Sequence, residues 1–202
     1  MSERGRADSE VVDNDGRELL HKRSFEFSGY LRPDGHYDIE GRMTDRKTYA
    51  FPNDWRGEIA AGEALHDMRI RVTLDEDFQV LDVVAETADA PFEICGAITP
   101  VFATLKGARI GRGWSALLKE KFGGAKGCTH HVELLRTLAT AAFQTIYGAK
   151  QRRARVQGSV PPGESGGRDA GRRPGFIDTC HALAADGAIV KANWPDFYQP
   201  KR

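Results

Sequence analysis

From Phe25 to Thr87 apolar side chains return at every second position, with turn residues at the breaks, and this period predicts antiparallel strands. Phe25, Phe27, Gly29 and Leu31 share one parity, and Arg32-Pro33-Asp34-Gly35 then supplies the residues of a hairpin turn. Tyr37, Ile39, Gly41 and Met43 continue the apolar face on the return strand. Thr48 to Gly62, with Pro52, Asn53, Asp54 and Gly57, reads as a longer loop. His66, Met68, Ile70, Val72 and Leu74 alternate strictly with Asp67, Arg69, Arg71 and Thr73, which predicts a third strand. Asp75-Glu76-Asp77 turns it into a fourth, Phe78 to Thr87, where Leu81, Val83 and Ala85 share a face.

From Pro91 the period changes. Pro91 to Leu105, Trp114 to Phe122 and Thr129 to Tyr147 fit helices. In the last, Leu134, Leu135, Leu138, Ala141, Ala142 and Thr145 recur at three- and four-residue spacings, with Thr129 as a cap and Gly148 as a stop. The expectation is an α+β fold: an antiparallel sheet of four or more strands, one face covered by about three helices. A short helical turn is expected at Cys180 to Leu183 and a small strand at Ala188 to Lys191.

Composition adds the segments that lie outside this pattern. Residues 149–176 hold seven Lys or Arg against two acids, among many Gly and Pro, and read as a mobile basic loop over 149–177. Residues 1–20 read as a flexible N-terminal arm, which leaves a single domain over 21–202. Across all 202 residues, 29 Lys and Arg balance 29 Asp and Glu, so no chain-wide positive field exists to hold nucleic acid or an anionic membrane. No apolar run approaches the roughly 18 residues of a membrane span. The N-terminus lacks the pattern of a secretory signal, and a cytoplasmic protein is expected. Cys95, Cys128 and Cys180 are too few and too scattered for a disulfide framework. No CxxC, HxxxH or HExxH pattern occurs, so spacing reveals no metal site, and no cofactor is expected.

Strand direction and parity together point to a site. If the first two strands run antiparallel, the start of the first, the end of the second and the start of the third meet at one edge. His21 and Arg23 share the parity of Phe25; Asp45 and Lys47 share that of Ile39 and Met43; His66 shares that of Met68. The inner face of each strand therefore changes from apolar to ionisable at the same end of the sheet. Unpaired buried charges are costly, so these groups are expected to satisfy one another around a polar cleft. The plainer reading is strand ends fraying into solvent, with Asp45 and Lys47 an ordinary surface ion pair. For His66 the orienting carboxylate is expected to be Asp45, since Asp67 lies on the opposite face.

Gly123 to Thr129 leads directly into the long helix, where free N–H groups could receive an anion, and Cys128 and Thr129 are candidate substrate contacts there. Cys128 beside His130 and His131 also suggests a thiol nucleophile. Against this, glycines before helices usually just make turns, and His130 lies near the helix's apolar stripe.

The ordered segments HxR at 21–23, IEGRMTDRKTY at 39–49, LHDMRIRVTLD at 65–75, APFEIC at 90–95, LKGARIGRGW at 105–114, GCTHHVELL at 127–135 and DTCHAL at 178–183 resemble the bacterial family catalogued as domain of unknown function 2889. The resemblance covers about residues 20–190. It implies a setting in bacterial pathways for aromatic, including lignin-derived, compounds, and a lyase releasing a hydroxymethyl carbon as formaldehyde fits that setting. It supplies no catalytic residues.

The leading expectation is a cofactor-independent acid/base lyase on a small aromatic substrate. His66, oriented by Asp45, is the base; Arg23 and Lys47 stabilise a phenolate or carboxylate; His130 is a second proton donor. His21, Tyr37, Trp114, Cys128 and Thr129 are substrate contacts, Tyr37 and Trp114 through their rings. Two alternatives stand beside it: a non-catalytic accessory that binds a small molecule or a partner, and a zinc-dependent hydrolase built on Cys128, His130 and a distant thiol. No nucleic acid or membrane is expected as partner, and a homo-oligomer is compatible with the sequence.

Overall fold

Period-two alternation becomes a four-stranded antiparallel sheet in the computed structural model, which describes residues 15–158 and 173–201. The strands in chain order are β1 (His21–Leu31), β2 (Tyr37–Lys47), β3 (Phe51–Asn53), β4 (Gly57–Ile59), β5 (Ala64–Leu74) and β6 (Val80–Asp89). The main sheet has the order β1-β2-β5-β6, and β3 and β4 make a separate two-stranded hairpin. A tight turn joins β1 to β2: Arg32 N–H donates to His36 O at 2.9 Å, and Gly35 takes a φ of 86° that an L side chain rarely adopts.

Tyr37, Ile39 and Met43 of β2 and Met68, Ile70, Val72 and Leu74 of β5 are buried on one face. A buried side chain of this kind contributes about 1.5–3 kcal/mol, so a one-residue slip would expose the whole set; the alternation itself pins the register. The edge strand β1 is less covered, and Phe25 and Leu31 remain exposed.

The helical part contains a 3-10 stretch (Glu93–Leu105), α1 (Trp114–Phe122), α2 (Thr129–Val156) and α3 (Ala188–Asn193). α2 turns Leu134, Leu135, Leu138, Ala142 and Ile146 inward, and α1 buries Trp114, Leu118 and Phe122. The helix reaches the sheet closely because β1 carries Gly29 where they meet. A Cβ there would lie 1.9 Å from Thr145 Oγ1. The four strands and the helices make the expected α+β fold.

Three local expectations are corrected and one is sharpened. The loop over Thr48 to Gly62 contains the β3–β4 hairpin, whose turn is closed by Asn53 Oδ1 accepting the N–H groups of Trp55 and Arg56 at 3.2 and 2.8 Å. The helix expected over Pro91 to Leu105 is present from Glu93 and is of the 3-10 kind, with Pro100 inside it lacking the N–H that an α ladder requires. α2 runs past Gly148 to Val156, since Lys150, Gln151, Arg152 and Arg153 are good helix formers and offset the roughly 1 kcal/mol penalty of one interior glycine. Ala188 to Lys191 is helical, within α3, and Asn193 Nδ2 donates to Ile189 O at 2.9 Å at its end. The expected arm over 1–20 and basic loop over 149–177 lie outside the described residues at 1–14 and 159–172.

The chain divides into two compact units, Met1–Ile146 and Tyr147–Arg202. The second has its own small core of Ile177, Ala185 and Val190, packed by Phe176, Trp194, Phe197 and Tyr198. Asp178 Oδ1 accepts the Ala185 N–H at 2.7 Å there. Among the described residues no helix is long and apolar enough to cross a membrane.

Candidate functional site

Antiparallel pairing sets His21 opposite Lys47, Arg23 opposite Asp45, and Asp45 opposite His66. The register then shifts: Arg46 pairs with Ala64, so Leu65 is an extra residue on β5. Such a bulge bends the strand and re-aims side chains beside it. The ionisable ends of the three strands come together around one carboxylate.

Asp45 is only 2 % exposed. Arg23 grips it with two bonds, Nε to Oδ1 and Nη2 to Oδ2, both 2.8 Å. His21 Nε2 lies 2.8 Å from Oδ1, and His66 Nδ1 lies 2.9 Å from Oδ2. Burial raises the Asp45 carboxyl, but the hydrogen bonds from Arg23, His21 and His66 outweigh it and hold the group well below the usual carboxylate range. An ionised carboxylate only accepts, so His66 Nδ1 carries the hydrogen and, in the neutral ring, Nε2 is a bare lone pair.

The first turn of α2 closes the site. Arg23 Nη1 donates to Glu133 Oε2 at 2.9 Å, tying the strand to the helix. The His130 ring sits 4.0 Å from the His66 ring, tilted by 40°, and the Cys128 sulfur lies 3.7 Å from His130 Nδ1. Burial pushes His130 down to about 4, reinforced by the charges of His66 and Arg23. Burial also lowers His66, against the opposing pull of Asp45. Both imidazoles are therefore neutral at pH 7. Among the described residues, Asp45, His66 and His130 form a group whose metal-ligating atoms all lie within 4.8 Å of one another.

His21, Arg23, Asp45, His66, His130 and Cys128 are thus brought together. Lys47 lies apart from this carboxylate. Its Nζ stands 3.9 Å over the Phe51 ring and 5.2 Å from the Tyr49 ring, so the surface ion pair with Asp45 does not form. Thr129 is exposed at the start of α2, and the helix begins from Cys128, whose carbonyl accepts the Val132 N–H at 3.0 Å.

The other two expected contacts are corrected. Tyr37 is 2 % exposed at the opposite end of β2, paired with Leu31 and Leu74. Trp114 is core: its indole Nε1 donates to Leu135 O at 2.9 Å in a buried position. The glycine-rich approach to α2 also has a packing role, since a Cβ at Gly127 would lie 2.7 Å from Phe122 Cβ. Asp67 serves the outer face, where Arg42 donates to it at 2.9 and 2.6 Å and Arg69 at 3.2 Å.

Sequence reasoning missed three contributors. Glu133 lies on the same helical face as His130, three residues on, a spacing that could have suggested it. Tyr49 and Phe51 carried no signal, because they fall in the segment read as loop. His131, named beside Cys128 as a nucleophile's partner, is instead fully buried, its Nε2 3.1 Å from Glu86 O.

Residues 21–144 match the family described as Protein of unknown function (DUF2889). The chain belongs to that family. The matched residues contain every member of the Asp45 cluster and stop within α2, short of DTCHAL at 178–183. No curated protein and no solved structure matches the chain.

Proposed function

We propose that this DUF2889 chain is an acid/base lyase that releases the hydroxymethyl carbon of a small aromatic compound as formaldehyde, with no redox cofactor. The observation that carries the reading is the Asp45–His66 pair: a buried, ionised carboxylate fixing one ring nitrogen so that the other is free to take a proton. His66 removes the proton of the primary alcohol. The C–O bond becomes the C=O of formaldehyde as the C–C bond breaks, and its electron pair forms a new C=C that expels an oxygen substituent from the neighbouring carbon. The proton held by His66 returns to that oxygen, so the reaction is redox-neutral.

Arg23 has a different part from the one its charge suggested. It is committed to Asp45 and Glu133 and is a positioning residue. Lys47 faces Tyr49 and Phe51 rather than an acid, so a cation and two aromatic rings stand together where a phenolate ring would be recognised. Held neutral, His130 is not an imidazolium donor at pH 7 and serves as the wall against which the His66 ring is set.

The test is to incubate the protein with hydroxymethyl-bearing phenolic monomers and dimers and to measure formaldehyde and the alkene product by mass spectrometry. Product formation abolished by His66→Ala and weakened by Lys47→Ala supports the reading; full activity in both rejects it. A second reading, a non-catalytic binding module, is favoured by a concavity of about 400 Å³ on the outer face of the sheet, lined in part by Glu40, Arg42, Arg71 and Glu86. It predicts ligand binding with no product, lost on changes at Arg71 and retained in His66→Ala.

A further inference from the structure

We infer that the His66–His130 pair, backed by Asp45, is a binding site for a divalent first-row transition metal, zinc above all, and that the metal silences the base by occupying it. Ligating atoms of the three residues lie within 4.8 Å of one another, so the two imidazoles and the carboxylate are gathered at one place. They are held by three different elements, β2, β5 and the first turn of α2, so the group is set by the fold rather than by a flexible loop. Two imidazoles, one of them backed by a carboxylate, suit zinc and its neighbours rather than calcium or magnesium.

The arrangement around His66 is the one metal-bound histidines take. Its Nδ1 is bonded to the Asp45 carboxylate at 2.9 Å, which orients the ring and leaves Nε2 to ligate, with Asp45 supplying charge from behind. His130 presents the second imidazole, 4.0 Å away ring to ring, and the Cys128 sulfur at 3.7 Å from its Nδ1 adds a soft donor at the margin. Arg23 is the cation that would oppose an incoming ion. Its charge is already met by Asp45 and Glu133 at hydrogen-bonding distance.

This goes beyond the lyase reading, and the two are mutually exclusive in time: a lone pair on zinc cannot accept a proton. Zinc is then an inhibitor of turnover, and chelation restores it.

The experiment uses the full chain freed of metal with EDTA, titrated with Zn²⁺ by calorimetry and with Co²⁺ by visible absorption. One saturable equivalent is expected, weakened at least about tenfold in His66→Gln and in His130→Gln and unchanged in Cys95→Ser, which stands outside the group. Circular dichroism matched to the parent shows that each variant is folded; if His66→Gln is not, His130→Gln alone carries the comparison. Absence of saturable binding, or undiminished binding in a folded His130→Gln, overturns the site. Formaldehyde release by protein that binds no zinc removes the metal site and leaves the lyase. One-equivalent binding without turnover of any phenol does the reverse.

Discussion

Asp45 Oδ2 and His66 Nδ1 stand 2.9 Å apart across the β2–β5 pairing, at the position just before the Leu65 bulge breaks the register. The carboxylate cannot donate, so the bond fixes the imidazole tautomer. Arg23 and His21 in turn fix the carboxylate.

Replacing Asp45 by Asn tests that relationship directly. The amide can donate to Nδ1, which turns the tautomer round and places the hydrogen on Nε2, where the base is needed. Turnover of a hydroxymethyl phenol is expected to fall about 10²- to 10⁴-fold, with KM changing far less, and His66→Gln is expected to match it. The substitution also weakens the hold on Arg23, which keeps Glu133 as its partner, a loss of about 1–3 kcal/mol, so thermal unfolding is measured alongside. Unchanged kcat in a folded Asp45→Asn variant would show that the pair is structural only.

On the outer face Asp67 gives the sheet a pH dependence of its own. Hydrogen bonds from Arg42, aided by Arg69, outweigh the effect of burial and lower its carboxyl in the folded state. A depressed folded value means that the unfolded chain binds the proton first. The contribution to stability is full above the ordinary aspartate value near 4 and is lost as pH falls through the folded value. Urea unfolding followed from pH 7 to pH 3 is expected to show the parent losing stability more steeply than Asp67→Asn. Parallel curves would remove Asp67 from the acid response.

Much of this was legible in the chain because strand parity is a strict physical code. Parity alone places His21, Arg23, Asp45 and His66 on one face at one end, since register follows once the apolar face is buried. What parity cannot encode is an insertion within a strand, and the extra Leu65 is such an insertion. Nor can it encode docking: His130 stands beside His66 through the packing of α2, which strand parity does not describe. Tyr37 and Trp114 were misplaced for a related reason. An aromatic residue has the same appearance in a core as in a binding site, and only the buried hydrogen bond of Trp114 to Leu135 separates the two.

That bond yields a prediction of its own. Trp114→Phe keeps a large ring but removes the indole N–H that the Leu135 carbonyl accepts in addition to its place in the α2 ladder, at about 0.5–1.5 kcal/mol. Stability is expected to fall by that amount while KM for an aromatic substrate is unchanged. A raised KM at unchanged stability would return Trp114 to the substrate contacts.

Gly29 sets how closely α2 approaches β1 at Thr145. A Cβ at Gly29 would stand 1.9 Å from Thr145 Oγ1, 2.5 Å from its Cγ2 and 2.7 Å from its Cβ, and no side chain accepts such overlap. Gly29→Ala must turn the Thr145 rotamer, breaking its bond to Ala141 O at 2.9 Å, or lift the helix. The expected loss is about 1–3 kcal/mol in urea unfolding. Thr145→Ala removes the two nearest atoms, so the double variant is expected to recover part of that loss, giving a coupling of about 0.5–3 kcal/mol. Simple additivity of the two single changes would mean that helix and strand do not meet at this point.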